Sequence, residues 1–391
     1  MSTEKTIKDK KLYVIFSITL IAVMGVASIT PALPKMAQTL NLTKSHIALL
    51  ISAFTFPGII VAPIAGVFAD RWGRKSVLVP SLFIFGIAGS AIFFVHQLHF
   101  IILLRVVQGI GAASLGSLNA TLIADFFKGK QRPEAMGYNA SVLSLSTATY
   151  PLIGGALAGI AWYYPFLMPL LALPVGLIVI YGIPEPEIER PANLKQYFKA
   201  ISSSIMRKEV IAIFLLSIIT FIILYGALLT YMPFLLHEKF QLDSPQIGVV
   251  FFISSITTAI FATRVGKLTN RFGSIPLLKI AFVLYALVTM VMPHVNNLYL
   301  FIIPVLIFGT AQALNMPSLQ TVLANLSPDN QRGAFMSLNG MVLRLGQTLG
   351  PLIIGMGYSK TGLNGAYYTA AGIAIIGLVV LFTLLPNRLQ H

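Results

Sequence analysis

Apolar runs of membrane-spanning length recur along this chain, each closed by charged residues or by a Pro/Gly break. A helix that crosses a bilayer needs about 20 such residues. Reading runs against breaks predicts twelve helices, at about 12–34, 46–69, 76–96, 99–126, 135–160 and 162–183, then 209–236, 246–268, 276–294, 297–325, 334–358 and 363–385. The long polar connection, Pro184 to Lys208, carries Glu185, Glu187, Glu189, Arg190, Lys195, Lys199, Arg207 and Lys208. The pattern predicts an all-α polytopic membrane protein with a six-helix half at 1–183, a connecting loop at 184–208 and a second six-helix half at 209–391.

Composition agrees. Hydrophobic residues make up 56% of the chain, charged residues 10%, and the mean hydropathy is +0.83, whereas soluble domains carry about 25% charged residues. The chain has no cysteine, which excludes disulfides, thiolate metal sites and a cysteine nucleophile. The first apolar run, from Leu12, is long and lacks a small-residue cleavage site, so it is expected to be a retained helix rather than a signal peptide.

A net charge of +15 would point to nucleic acid in a soluble protein. Its distribution gives another answer. With the amino terminus inside, only Lys35, Lys44, Lys239 and Lys360 fall outside, and Arg105 and Arg344 fall within the membrane. The remaining bases lie on the cytoplasmic side, as the positive-inside rule requires, placing both termini in the cytoplasm and the basic loops against anionic lipid heads.

The halves are copies. A shift of 200 sets Gln131-Arg132 on Gln331-Arg332, Asn139 on Asn339, Val142-Leu143 on Val342-Leu343, Pro151-Leu152-Ile153 on Pro351-Leu352-Ile353 and Gly155 on Gly355. Parallel repeats of this kind are a transporter architecture, with substrate bound near the midplane.

Between the second and third predicted helices stands Gly66-Val67-Phe68-Ala69-Asp70-Arg71-Trp72-Gly73-Arg74-Lys75, and a worn copy, Gly266 to Gly273, occupies the same place in the second half. Gly66 is suited to close helix packing, and Gly73 to a turn closed to bulkier residues. Asp70 can sit against the positive end of a helix dipole. The stretch resembles the signature loop G-x-x-x-D-R-x-G-R-K/R of the major facilitator superfamily of secondary transporters. That resemblance implies a twelve-helix alternating-access transporter in which Asp70 meets the start of helix 11, here near Gln331 to Ala334. It also implies that Arg74 pairs with Asp125 at the end of helix 4, latching the cytoplasmic side shut. The plainer alternative, which suits Arg71 and Lys75, is a loop charged only for topology.

Further motifs resemble the proton-coupled exporters of that superfamily. Arg105-Val106-Val107-Gln108-Gly109-Ile110-Gly111-Ala112-Ala113 is similar to their R-x-x-Q-G-x-G-A-A stretch, which implies that Arg105, with Asp125, governs proton coupling. The alternative is an arginine snorkelling to the head groups. Tyr150-Pro151-Leu152-Ile153-Gly154-Gly155 resembles the exporters' G-P-x-x-G-G, with Tyr150 where they have glycine. Helix 11 keeps Gly350-Pro351 but has Ile354 for a glycine. Pro151, Gly154, Gly155 and Pro351 make bends available for gating, or simply shape packing. Thr30-Pro31-Ala32-Leu33-Pro34 resembles the end of helix 1 in many drug exporters, yet Ala27 stands where those relatives often carry an aspartate. None of the twelve acids falls at a helix midpoint, so proton coupling through a central carboxylate is not expected.

The deepest charge is Arg344, with Gln347 on the same face of the helix and Ser144 and Thr147 at the equivalent places in helix 5. It favours an anionic ligand, or else bonds helix carbonyls or Asn339. Asn119, Asn139, Tyr150, Tyr225, Gln312 and Asn315 are candidate cavity contacts, each equally suited to bonding helices together. His46, His96, His99, His237 and His294 fall at the outer rim, and only His96 and His99 are spaced for a weak metal contact; no metal site is expected. Neither H-E-x-x-H, a P-loop nor a Rossmann glycine fingerprint occurs, so no enzyme activity and no cofactor are expected.

The resemblance implies export of an amphipathic drug or metabolite across the cytoplasmic membrane in exchange for protons, by a protein functional as a monomer, with lipid and protons as partners and no nucleic acid. The residues leave open a facilitator, or an organic-anion carrier without proton exchange.

Overall fold

A computed structural model describes residues 9–129, 131–186, 206–327 and 332–385. Within the loop at 184–208, Glu187, Glu189, Arg190, Lys195 and Lys199 lie outside the described residues. Every regular element described is helical, and no strand occurs among the described residues. The chain divides into two compact units, Met1–Pro191 and Ala192–His391.

The first unit holds α1 (Lys10–Thr39), α2 (Lys44–Trp72), α3 (Arg74–Phe94), α4 (Leu98–Phe126), α5 (Gln131–Ile160) and α6 (Tyr164–Gly182). The second holds α7 (Lys208–Phe240), α8 (Ser244–Phe272), α9 (Ser274–His294) and α10 (Leu298–Leu326). A last helical run, Arg332–Leu384, leaves helical geometry at Thr361 and at Gly362, whose φ is 68°. That break separates α11 (332–360) from α12 (363–384), completing twelve long helices among the described residues. Large apolar side chains such as Ile60, Leu103, Leu145, Ile260, Leu306 and Phe382 remain exposed, as expected of helices whose outer faces meet lipid.

Local chemistry explains where helices start and bend. Thr43 and His46 form a capping box at the head of α2, and Asp243 and Gln246 form one at the head of α8, satisfying N–H groups that have no partner within the helix. In α1 the regular helix stops at Ala27, and a 3₁₀ turn spans Thr30–Ala32. There Pro31 and Pro34 cannot donate, and the hydroxyls of Ser28 and Thr30 bond back to Met24 and Val26 oxygens. α6 opens as a 3₁₀ helix over Tyr164–Leu171 for the same reason, with Pro165 and Pro169 inside it. The lysines Lys35 and Lys239 cap helix ends. Lys35 Nζ donates to the Ala158 and Gly159 oxygens, both at 2.9 Å, and Lys239 Nζ to the Pro293 oxygen at 2.6 Å, where cations suit the negative end of the dipole.

α7 departs from the expectation of a plain helix. Over Ile223–Tyr231 it winds as a π-helix, a form found mostly as short insertions at functional sites. This segment lies against α11, where a Cβ on Gly226 would strike Ile354 and the Gly350 oxygen. In the first unit the roles are exchanged, since Gly154 of α5 meets the Ser28 backbone of α1 with no room for a Cβ. Ile354 can therefore replace a glycine on α11 because α7 supplies Gly226. Pro151 sits buried in a helix that runs unbroken through it.

Candidate functional site

The signature loop forms a closed ionic node within the first unit. Gly73 has φ 106°, a conformation that side chains rarely adopt, and the turn aims Arg74 inward between α2 and α4. Arg74 is 7% exposed. Its Nε donates to Asp125 Oδ2 at 3.0 Å and its Nη1 bonds Asp70. One guanidinium therefore holds the end of α2 and the end of α4, as the expected Arg74–Asp125 pair requires. Gln331 and the side chains of 332–334, expected to meet Asp70, lie outside the described residues. Gly66 differs from expectation, because a Cβ built there meets nothing within 4 Å, so close packing does not account for it.

Sequence reading missed two members of this node. The Glu185 carboxylate, arriving from beyond α6, accepts the N–H groups of Arg74 and Lys75 at the head of α3. Lys75, expected to be a topology charge, sends Nζ the other way to the Ile180 and Ile183 oxygens, at 2.6 and 2.9 Å. Glu185 thus caps the positive end of α3 while Lys75 caps the negative end of α6, a reciprocal tie that complements both dipoles. The only signal in the sequence is an acid in the first turn of the connecting loop. Glu185→Ala is expected to cost about 1 kcal/mol, the usual worth of a helix cap. The check is a lower thermal midpoint of the full chain in detergent, and an unchanged midpoint would show that water caps α3 equally well.

Arg105 does not snorkel. It is 1% exposed, lies over the Phe54 ring at 4.3 Å, and donates to the Gly25 oxygen and Gln108 Oε1, each at 2.8 Å. The Leu50 oxygen is a longer contact at 3.5 Å. Carbonyls from α1 and α2 thus brace a cation on α4, with Nη2 of Arg105 and Nε2 of Gln108 buried and unpartnered. Arg105 and Asp125 stand twenty residues apart on one helix, about 30 Å at 1.5 Å per residue. They cannot exchange a proton directly.

Most of the candidate cavity residues serve as bonds between helices. Asn119 Nδ2 donates to Thr19 Oγ1 at 2.6 Å and to the Ile15 oxygen at 3.0 Å. The Thr19 hydroxyl donates in turn to Asn139 Oδ1 at 2.5 Å, which joins α4, α1 and α5. A related tie recurs in the second unit, where Thr220 of α7 donates to Asn315 Oδ1 of α10 at 3.1 Å. Tyr150 donates to the Leu20 oxygen at 2.9 Å, and Tyr285 bonds Gln312 Oε1. Thr19 and Tyr285 were not legible beforehand, being single polar positions in apolar runs. Gly155 is buried in α5, and Pro351 is buried in α11. His96 stands edge-on to Trp162 and Tyr163.

Arg344 is the exception. It is half-buried in α11, and Nη1 donates to Gln347 Oε1 at 3.1 Å, as the i, i+3 spacing predicts. The alternative tie to Asn339 does not form, and Asn339 Oδ1 is itself buried without a partner. Tyr225 stands on the π segment of α7, and its ring stacks on Phe221 at 5.9 Å.

Two like bundles of six apolar helices, with an ionic node at the helix ends of the first and a few polar groups at depth, are the arrangement of multi-pass secondary transporters. The sequence model of the Major Facilitator Superfamily matches residues 15–244 and 234–390, and the chain belongs to that family of transporters. Among its relatives, Multidrug resistance protein 2 of Bacillus subtilis (strain 168) is 24% identical over 384 residues, covering 96% of each chain. The Bacillibactin exporter of the same strain is 25% identical over 395 residues, also covering 96% of each. In fold, the chain is similar to the crystal structure of nucleoside transporter NupG, with a TM-score of 0.80 at 13% identity, covering 97% of this chain and 100% of that one.

Proposed function

We propose that this transporter exports an amphipathic small molecule across the cytoplasmic membrane in exchange for protons, acting as a monomer with both termini in the cytoplasm. The observation that carries this reading is the end-to-end similarity to relatives named as a multidrug resistance protein and as an exporter. The proton-coupling role falls on the Asp70–Arg74–Asp125 node rather than on Arg105, because that node holds carboxylates and Arg105 touches none among the described residues. A carboxylate that gains or loses a proton changes its hold on Arg74, and with it the tie between α2 and α4.

The second reading, a facilitator or an organic-anion carrier, is favoured by Arg344 and by the lack of an acid at mid-helix. Proteoliposomes separate the two. With ethidium and dansyl-leucine as probes and an acidic lumen imposed, uptake of at least one probe into the lumen is expected, falling to background when nigericin collapses the gradient. Uptake at full rate without a gradient would establish the facilitator, and no movement of either probe under any gradient would sink the export reading.

A further inference from the structure

We infer that the second unit carries an anion subsite at Arg344, built to take the carboxylate of an amphipathic ligand; the inference rests on reading the chain as a small-molecule exporter. The contrast between the two membrane arginines carries it. Arg105 is wrapped by carbonyls of two other helices and an aromatic face and is 1% exposed. It is a brace, and no ligand is needed to account for it. Arg344 is half-buried, and among the described residues its side chain bonds only Gln347.

A guanidinium has five N–H donors in a planar fork. Gln347 engages Nη1, which leaves the Nε–Nη2 edge, the edge that forks onto a carboxylate, without a described acceptor. The position also matters. From Arg332 to Arg344 the helix rises about 18 Å, and half of a bilayer's hydrocarbon core is about 15 Å. Lipid phosphates do not reach that depth, and a ligand carboxylate would supply the counter-ion there. Charged groups at such depth cost at least ~2.5 kcal/mol, and those that occur mark substrate or ion pathways.

The surroundings complete a recognition surface. Phe221, stacked on Tyr225 at 5.9 Å, offers an aromatic wall for an apolar body. Tyr225 stands on the π segment Ile223–Tyr231, whose wider winding sets side chains where a regular helix would not. Gly346 and Gly350 let α11 press directly on the α7 backbone at Ile218 and Ile222, which fixes the two helices that carry the set.

The internal duplication supplies an independent comparison. Where α11 has Arg344 and Gln347, α5 has Ser144 and Thr147, whose hydroxyls bond back to the Ala140 and Leu143 oxygens at 2.9 and 2.8 Å. The first unit has no π segment in α1. Both units keep an Asn–Thr tie between their first and fourth helices. The scaffold is shared, whereas the cation, its amide partner and the π-borne tyrosine belong to one copy. A feature needed only for packing would be expected in both.

The test uses purified full-length protein in detergent and two matched fluorescent probes, dansyl-leucine and its neutral amide. The acid should bind the native chain about tenfold or more tighter than the amide, a difference worth one good charged contact. Arg344→Gln should remove that preference while leaving the amide within about twofold, and Arg344→Lys should recover only part of it, because a point charge lacks the fork. Gln347→Glu, which supplies an internal carboxylate to Arg344, should remove the preference with the arginine still present, and it decides the matter if Arg344→Gln fails to fold. Equal binding of acid and amide by the native chain, or equal losses of both in Gln347→Glu, would overturn the subsite. Transport of ethidium alone would leave the export reading intact with the subsite refuted. Selective binding of the acid without transport of either probe would do the reverse.

Discussion

Replacing Arg105 with alanine will lower the thermal midpoint of the protein in detergent by about 10 °C. The figure follows from the bonds broken. The Gly25 oxygen and Gln108 Oε1 each accept from the guanidinium at 2.8 Å, and hydrogen bonds to a charged group are worth about 1.5–3 kcal/mol apiece. Their acceptors would be left dry, and the face of Phe54, now 4.3 Å from the cation, would border a void. A loss of at least ~3 kcal/mol is expected, and for a unit of this size each kcal/mol moves the midpoint by about 2–4 °C. Arg105→Lys should rescue little, since one ammonium cannot reach acceptors on α1 and α4 while covering the ring. Arg344→Ala provides the control, because its guanidinium is bonded to one amide rather than braced between helices, and its loss should move the midpoint by no more than a few degrees. Comparable stability of the Arg105→Ala and native proteins would mean that water has taken over the acceptors, and the bracing role would be lost.

That contrast also shows what the sequence could and could not disclose. The twelve spans, the duplication and the Arg74–Asp125 pair were legible, because each rests on a pattern that survives in one dimension: run length, a fixed offset of 200, and a loop of set spacing. The two membrane arginines looked alike as letters. Arg105 is distinguished by carbonyls on other helices, and backbone acceptors leave no mark on residue identity. In the sequence Glu185 belongs to the linker, although it caps a helix head 111 residues earlier in the chain. The π segment carries no compositional signal. It coincides with the place where Gly226 meets Gly350 and Ile354, a contact fixed by tertiary packing. Asn119, Asn139 and Asn315 were open between cavity and helix-to-helix bonding for a similar reason. Only the positions of Thr19 and Thr220, one hydroxyl in each unit, decide that they are bonds between helices.

The second large effect is expected at Arg74. Arg74→Ala removes the cation from between two carboxylates, and the two arms of the node should suffer unequally. The Asp125 side chain is 20% exposed and that of Asp70 is 45% exposed, so water screens the Asp70 arm and discounts it toward the value of a surface pair, about 0–1 kcal/mol. The Asp125 arm is nearer the buried case, in which removing one partner costs about 3–5 kcal/mol because the other charge is stranded. Allowing for its residual exposure, a loss of about 2 kcal/mol is expected for Arg74→Ala. The double variant Arg74→Ala with Asp125→Asn should recover at least half of that, since the stranded charge is gone. No recovery would show that the stabilisation comes from packing of the arginine stem rather than from the pair. Asp70→Asn is expected to behave differently, because it leaves the Arg74–Asp125 pair standing and should scarcely move the thermal midpoint. If the node also responds to protons during transport, Asp70→Asn will nevertheless reduce gradient-driven uptake in proteoliposomes by about tenfold, the rate cost of 1.4 kcal/mol. A variant with native stability and native transport would confine the node to a structural role. A variant with native stability and lost transport would place the working carboxylate on the exposed arm, where it can reach water.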